Sequence, residues 1–168
     1  MENIFLIGFM GSGKSTVAMY LSKQYGMEIL EMDQMIVEQE GMSIDQIFDT
    51  YGEVYFRNLE SKLLRDIVPN GNQVISCGGG VVLRTDNVDV MKKAGKIALL
   101  HARPETILER VKNEHQRPLL EGNQNLAFIR NMMAQRCAHY EHAADFMIET
   151  DGRSVEEICT EIMDKVRG

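Results

Sequence analysis

Apolar residues recur along this chain in two rhythms, short unbroken runs and longer stretches with helical spacing. Ile4-Phe5-Leu6-Ile7, Val74-Ile75-Ser76-Cys77, Ile97-Ala98-Leu99-Leu100 and Phe146-Met147-Ile148 are compact runs of the kind that form strands covered on both faces. A further short strand is predicted at Glu28 to Met32. After the first run, Val17 and Leu21 mark an amphipathic helix that Gly26 ends through a left-handed cap. Ser43 and Gln46 form a capping-box pattern ahead of a short helix with Ile44, Ile47 and Phe48 as its apolar stripe. Phe56, Leu59, Leu63 and Ile67 then repeat at helical spacing until Pro69 stops the run, with Arg57 and Glu60 on a shared, exposed side. Pro104 opens a helix faced by Ile107, Leu108 and Val111. A long helix runs from about Leu126 to His142 and carries Arg130 and Arg136, and Ser154 with Glu157 caps a terminal helix.

Strand and helix alternate throughout. This predicts a three-layer α/β fold: a five-stranded parallel sheet with right-handed crossovers and helices on both faces. With 168 residues the chain suffices for one well-packed core, so residues 1–168 are expected to form one domain. The polar stretch from Lys112 to Asn125 contrasts with the short connections elsewhere and reads as a mobile lid.

Composition narrows the function classes. Hydrophobic residues make up 44% and charged ones 26%, which is ordinary for a globular protein. A net charge of −7 argues against a nucleic-acid partner, so an anionic ligand must be captured by local arginines. There is no signal-peptide pattern and no apolar run of membrane-spanning length, and a cytosolic protein is expected. Cys77, Cys137 and Cys159 are odd in number and widely spaced, so they read as reduced packing residues.

The sharpest chemical signal follows the first strand. Gly8-Phe9-Met10-Gly11-Ser12-Gly13-Lys14-Ser15-Thr16 matches G-x-x-x-x-G-K-[ST] between a strand and a helix, the setting a nucleotide phosphate-binding P-loop requires. Glycines allow a tight turn that aims consecutive N–H groups of Gly11, Ser12, Gly13, Lys14, Ser15 and Thr16 at phosphate oxygens, above the positive end of the next helix. Lys14 reaches the β/γ-phosphates of ATP, and Ser15 offers a hydroxyl to Mg2+. Asp33 falls at the carboxyl end of a strand, where open parallel sheets place ligand groups. Gly78, Gly79 and Gly80 end another strand at the same sheet edge, where backbone is open to close approach.

Together these features resemble the shikimate kinase family. The carriers are Gly8 to Thr16, Glu31-Met32-Asp33, Phe56-Arg57-Asn58-Leu59-Glu60, Gly78-Gly79-Gly80, Arg117-Pro118-Leu119-Leu120 and Arg136 within Gln135-Arg136-Cys137-Ala138-His139-Tyr140. The resemblance spans nearly the whole chain. It implies transfer of the γ-phosphoryl of ATP to the 3-hydroxyl of shikimate, with Mg2+, in aromatic amino acid biosynthesis. It assigns Asp33 to the acceptor hydroxyls and Arg57 and Arg136 to the shikimate carboxylate. Glu60 orients an arginine, Gly79 presents a backbone N–H, and Arg117 brings charge from the lid to the transferring phosphate. Arg110 and Arg153 match regions flanking the adenine. ATP and shikimate are the expected partners, and a monomer is expected.

Three departures from the family pattern stand out. Glu31 stands where the family commonly has Asp, an additional methylene that alters its reach toward Mg2+, and prolines are missing after Arg136 and around Thr150 to Val155. Two other readings share the phosphate loop: a different small-molecule kinase such as a gluconate kinase, and a nucleotide-binding regulatory module without catalysis.

Overall fold

The computed structural model describes residues 2–112 and 125–168. Five strands form one parallel sheet in the order β2-β3-β1-β4-β5, with β1 at Asn3–Ile7, β2 at Glu28–Glu31, β3 at Gln73–Ser76, β4 at Gly95–His101 and β5 at Phe146–Glu149. Among the described residues the helices are α1 (Lys14–Tyr25), α2 (Met32–Glu40), α3 (Ile44–Tyr51), α4 (Glu53–Ile67), α5 (Thr85–Ala94), α6 (Pro104–Val111), α7 (Leu126–Ala143) and α8 (Val155–Arg167), plus a 3-10 turn at Val81–Leu83.

The period-two alternation of strands divides the core into two layers. Ile4 and Leu6 of β1, Val74 of β3 and Ala98 and Leu100 of β4 pack on one face with Val17 and Leu21 of α1 and Ile158 and Ile162 of α8. Phe5, Ile7, Ile75, Ile97 and Leu99 point to the other face, against Ile36, Ile47, Phe56, Leu64, Met91, Ile107 and Ile129. Ile4, Phe5, Leu6 and Ile7 are fully buried, each side chain contributing about 1.5–3 kcal/mol.

Local signals placed most element ends. Gly26 adopts φ 67 and its N–H donates to the Ser22 carbonyl. Both capping boxes form, Ser43 with Gln46 and Ser154 with Glu157. Pro104 sits in the first turn of α6. The second strand stops one residue earlier than expected, because Met32 turns inward as the fully buried start of α2. Neither α2 nor α5 stood out in the apolar pattern, since α2 buries only Met32 and Ile36 and α5 buries only Asn87, Val88 and Met91. The cysteines are free; Cys77 and Cys159 are buried, but Cys137 is exposed on α7 and does not pack.

All strands run the same way, so their carboxyl ends share one edge. That edge gathers the loops after β1, β2 and β3, where a doubly wound sheet binds ligands.

Candidate active site

The glycine loop after β1 is built mainly from backbone. β1 delivers the chain into Gly8 at φ 147, and Gly11 and Gly13 follow at φ 79 and 103. A Cβ on Gly8 would lie 2.5 Å from the Leu100 carbonyl oxygen, and one on Gly11 would lie 2.9 Å from Cγ1 of Val111. The loop therefore needs glycine for both conformation and space. Ser12 N–H donates to the Phe9 carbonyl at 3.1 Å, closing the turn. Lys14 Nζ donates to the carbonyls of Gly8 (2.7 Å) and Phe9 (3.2 Å), which arches its ammonium over the loop. From α6, Arg110 Nη1 donates to the Gly11 carbonyl at 2.9 Å.

A cleft of about 940 Å³ opens on this loop. Its walls include Lys14, Ser15 and Thr16, Glu31 and Asp33, the glycines Gly78 and Gly79, and Arg110, Thr150 and Arg153. The two arginines expected at the adenine are thus brought into the cleft that holds the phosphate loop. Arg153 is braced by the Glu149 carbonyl at 2.9 Å and Glu161 Oε2 at 2.6 Å. The missing proline near Thr150 is replaced by a turn, with Arg153 N–H donating to the Thr150 carbonyl at 3.3 Å and Gly152 at φ 68. Asp151 ties this turn to α6 by accepting from Arg103 N–H at 2.8 Å and Thr106 Oγ1 at 2.5 Å.

A second cluster is built from charged side chains around Gly78-Gly79-Gly80, the region expected to meet the acceptor. Asp33 stands in the first turn of α2, following Glu31 at the N-cap. Arg57 and Glu60 correct the expectation of an exposed pair: Arg57 is 9% and Glu60 0% exposed. Their i,i+3 spacing is as expected, with Nη1 to Oε1 at 3.1 Å, but α4 turns that side into the protein. Arg136, on α7, is also buried. Each guanidinium covers an aromatic ring, Arg57 over Phe56 at 5.2 Å and Arg136 over Phe9 at 5.9 Å, which holds the charge with its donors at the edge.

The glycines make room for these charges. A Cβ on Gly78 would sit 2.8 Å from both Asp33 Oδ1 and Glu60 Oε2, so two carboxylates close on one point. On Gly79 it would lie 3.1 Å from Arg136 Nη1, and on Gly80 it would collide with the Arg57 guanidinium. Burial pushes the Glu60 carboxyl up to about 7; the Arg57 charge and hydrogen bond oppose this, and Asp33 adds to it. Arg57 Nε and Glu60 Oε2 are buried with no hydrogen-bond partner among the described residues. Buried polar atoms are ordinarily paired, so these two call for a partner that the described residues do not supply.

Magnesium suits this set of donors. Ser15, Glu31 and Asp33 line the cleft beside Lys14, and among the described residues no three His, Cys, Asp or Glu side chains form a metal cage. A cation held by one or two protein ligands plus phosphates and water is how Mg2+ binds at phosphoryl-transfer sites. Arg117 and nearly all of the expected lid lie outside the described residues.

No part in the site was expected for Phe9, Phe56, Tyr140 or Asp151. Phe9 and Phe56 carry ordinary core patterning, and Asp151 acts across a separation of 48 residues in sequence. Tyr140 had one signal, its position one helical turn beyond Arg136.

Comparison with known proteins gives a consistent answer. The shikimate kinase family model matches residues 10–167. A shikimate kinase from Dehalococcoides mccartyi strain BAV1 is 41% identical over 166 residues, covering 99% of this chain and 94% of its own. The solved shikimate kinase from Acinetobacter baumannii, in complex with shikimate, superposes with a TM-score of 0.94 at 30% identity, covering 99% of this chain and 93% of that one. A gluconokinase from Sinorhizobium meliloti 1021 reaches a TM-score of 0.58 at 15% identity, covering 99% and 91% of the two chains, and shares the fold alone.

Proposed function

The chain belongs to the shikimate kinase family, and from that premise we propose that it transfers the γ-phosphoryl group of ATP to the 3-hydroxyl of shikimate. The products are shikimate 3-phosphate and ADP, in the chorismate route to aromatic amino acids. The observation that carries this reading is the convergence on three glycines: Gly78 and Gly79 line the phosphate-loop cleft together with Asp33, and Glu60, Arg136 and Arg57 close on Gly78, Gly79 and Gly80 in turn. A hydroxylated carboxylic acid is the ligand such a cradle matches.

Arg57 and Arg136 grip the acceptor carboxylate. Their planar forks donate paired hydrogen bonds without changing protonation, and the aromatic rings beneath them limit reorientation. Asp33 accepts a hydrogen bond from the reacting hydroxyl and aims its oxygen at the γ-phosphorus. As the new O–P bond forms, the bond to the β–γ bridging oxygen breaks, ADP leaves with that electron pair, and the hydroxyl proton passes to Asp33. The loose transition state of phosphoryl transfer needs positioning more than base strength. Lys14 and the loop N–H groups hold the phosphates and stabilise the negative charge on them. Mg2+, held through Ser15, would supply charge neutralisation along the β- and γ-oxygens.

We assign Arg110 and Arg153 to the adenine end, and Arg117 to closing over the transferring phosphate. Residues 1–168 act as one cytosolic, monomeric catalytic unit in this reading, with about 112–125 as its closing segment. Among the described residues no helix is long and apolar enough to cross a membrane.

The test is ADP release with shikimate, with gluconate and with neither, followed by mass analysis of the product. Shikimate-dependent ADP with a product heavier by one phosphoryl group is expected. Gluconate-dependent release would favour the related kinase, and nucleotide binding without turnover would favour a regulatory module.

A further inference from the structure

Three glycines in a row are a poor way to hold a donor still, because glycine loses more backbone freedom on ordering than any other residue. In this loop each carbonyl is held. The Gly78 carbonyl accepts from Val81 N–H at 3.2 Å and the Gly80 carbonyl from Leu83 N–H at 3.1 Å, both within the 3-10 turn. The middle carbonyl has no such local partner. Gly79 O accepts instead from the hydroxyl of Tyr140 at 2.6 Å, across 61 residues of sequence.

We propose that Tyr140 is a positioning residue of the acceptor site, fixing the Gly79-Gly80 peptide so that the glycine loop meets shikimate already shaped. Peptide units are planar and, throughout the described chain, trans. The Val81 bond sets the plane before Gly79 and the Tyr140 bond sets the plane after it. Together the two bonds restrain the peptide planes on either side of Gly79, the residue whose N–H the acceptor would use. The hydroxyl acts through this backbone and needs no contact with the substrate.

Its surroundings suit that task. Tyr140 is 6% exposed and packs in the core beneath the sheet edge. Burial raises its hydroxyl above the ordinary value, opposed by the Arg136 charge and by a hydrogen bond with Arg136, so the proton it donates to Gly79 is kept. A Cβ on Gly79 would lie 3.6 Å from this hydroxyl and 3.1 Å from Arg136 Nη1, so both groups converge on one glycine from one helix. Arg136 and Tyr140 stand one turn apart on α7. The helix that brings the carboxylate-binding charge also sets the backbone beside it, and binding then costs less ordering entropy.

This inference rests on reading Gly78-Gly79-Gly80 as part of the acceptor site. Titration of the wild-type protein with shikimate tests that reading by itself. Tyr140→Phe, which keeps the ring and removes the hydroxyl, tests the inference. We expect its shikimate Kd and KM to rise about tenfold while kcat stays within about threefold and ADP affinity within twofold. The amides of Gly79 and Gly80 in the unliganded variant should also exchange with solvent faster than in wild type. A purely structural role would lower Tm and leave the balance between shikimate and ADP unchanged, and that result would overturn the proposal. Unchanged loop exchange would do so as well, even if shikimate affinity fell, because that fall would trace to the lost hydrogen bond with Arg136. Should the variant fold poorly, ADP binding reports the intact fraction, and affinities are compared on that fraction.

Discussion

The loop from Gly8 to Ser15 is one continuous stretch whose shape comes from three positive-φ glycines, whereas the cradle at Gly78-Gly79-Gly80 is assembled from α2, α4 and α7, three elements distant in sequence. The first presents backbone N–H groups and one lysine; the second presents two arginines and two carboxylates, of which Glu60, Arg57 and Arg136 are buried. A phosphate is met alike in every nucleotide, so a local, side-chain-poor device suffices for it. The acceptor must be told apart from other small acids and sugars, and discrimination needs charges that only tertiary packing brings together.

If the two sides are as separable as this contrast implies, single substitutions should divide their effects cleanly. The largest effect is expected for Asp33→Asn, which keeps the shape and removes the charge at the junction of the two sides. Turnover should fall on the order of 10²-fold or more with ADP affinity little changed. Steady-state kinetics with near-normal kcat would remove the hydroxyl-orienting role.

Next in size are Arg57→Lys and Arg136→Lys. Each retains a positive charge but loses the planar fork, so shikimate affinity should weaken by about 1.5–3 kcal/mol and ADP affinity much less. Calorimetric titration of both ligands checks this, and equal losses for the two would erase the division.

A crossed pair of glycine substitutions sharpens the comparison further. Gly11→Ala meets positive-φ strain at 79 and Val111 at 2.9 Å, and should weaken ADP about tenfold while sparing shikimate. Gly80→Ala must displace the Arg57 guanidinium and should do the reverse by a similar factor. Paired Kd measurements in which each variant hurt both ligands alike would show one site where two are drawn.

The smallest effect concerns stability. Glu60 titrates near 7 in the fold, above its ordinary 4.5, because burial disfavours its charge. The folded chain keeps a proton that the unfolded chain releases, so this contribution is complete below about 4.5 and is lost as pH rises through about 7. Glu60→Gln cannot ionise. Its Tm relative to wild type should climb by a few degrees between about pH 5 and 8, and a flat difference would mean that Glu60 stays charged.

The contrast between the sides also explains what could be read from the residues alone. The phosphate loop was legible to the residue because its chemistry and its geometry occupy the same nine positions. Element ends at Gly26, Ser43, Pro104 and Ser154 were legible for the same reason, each being a local backbone device. Arg57 and Glu60 were correctly paired but wrongly exposed. An i,i+3 ion pair looks identical in sequence whether the far side of its helix faces water or, as here, Asp33, Gly78 and Arg136. Tyr140 was visible as a residue but not as a partner, since nothing local says that its hydroxyl will find a carbonyl 61 positions away.

The central place of β1 has a consequence for how this protein comes into being. Ile4 pairs with Val74 on one side and with Lys96 on the other, so the middle strand of the sheet is made first and waits for both neighbours. On the ribosome those apolar side chains emerge well before anything can cover them, and such high contact order slows folding and exposes the chain to aggregation. The loop carried on β1 is therefore synthesised ahead of both flanking strands and takes its shape only after them, and a nascent chain arrested before β4 should not bind ATP.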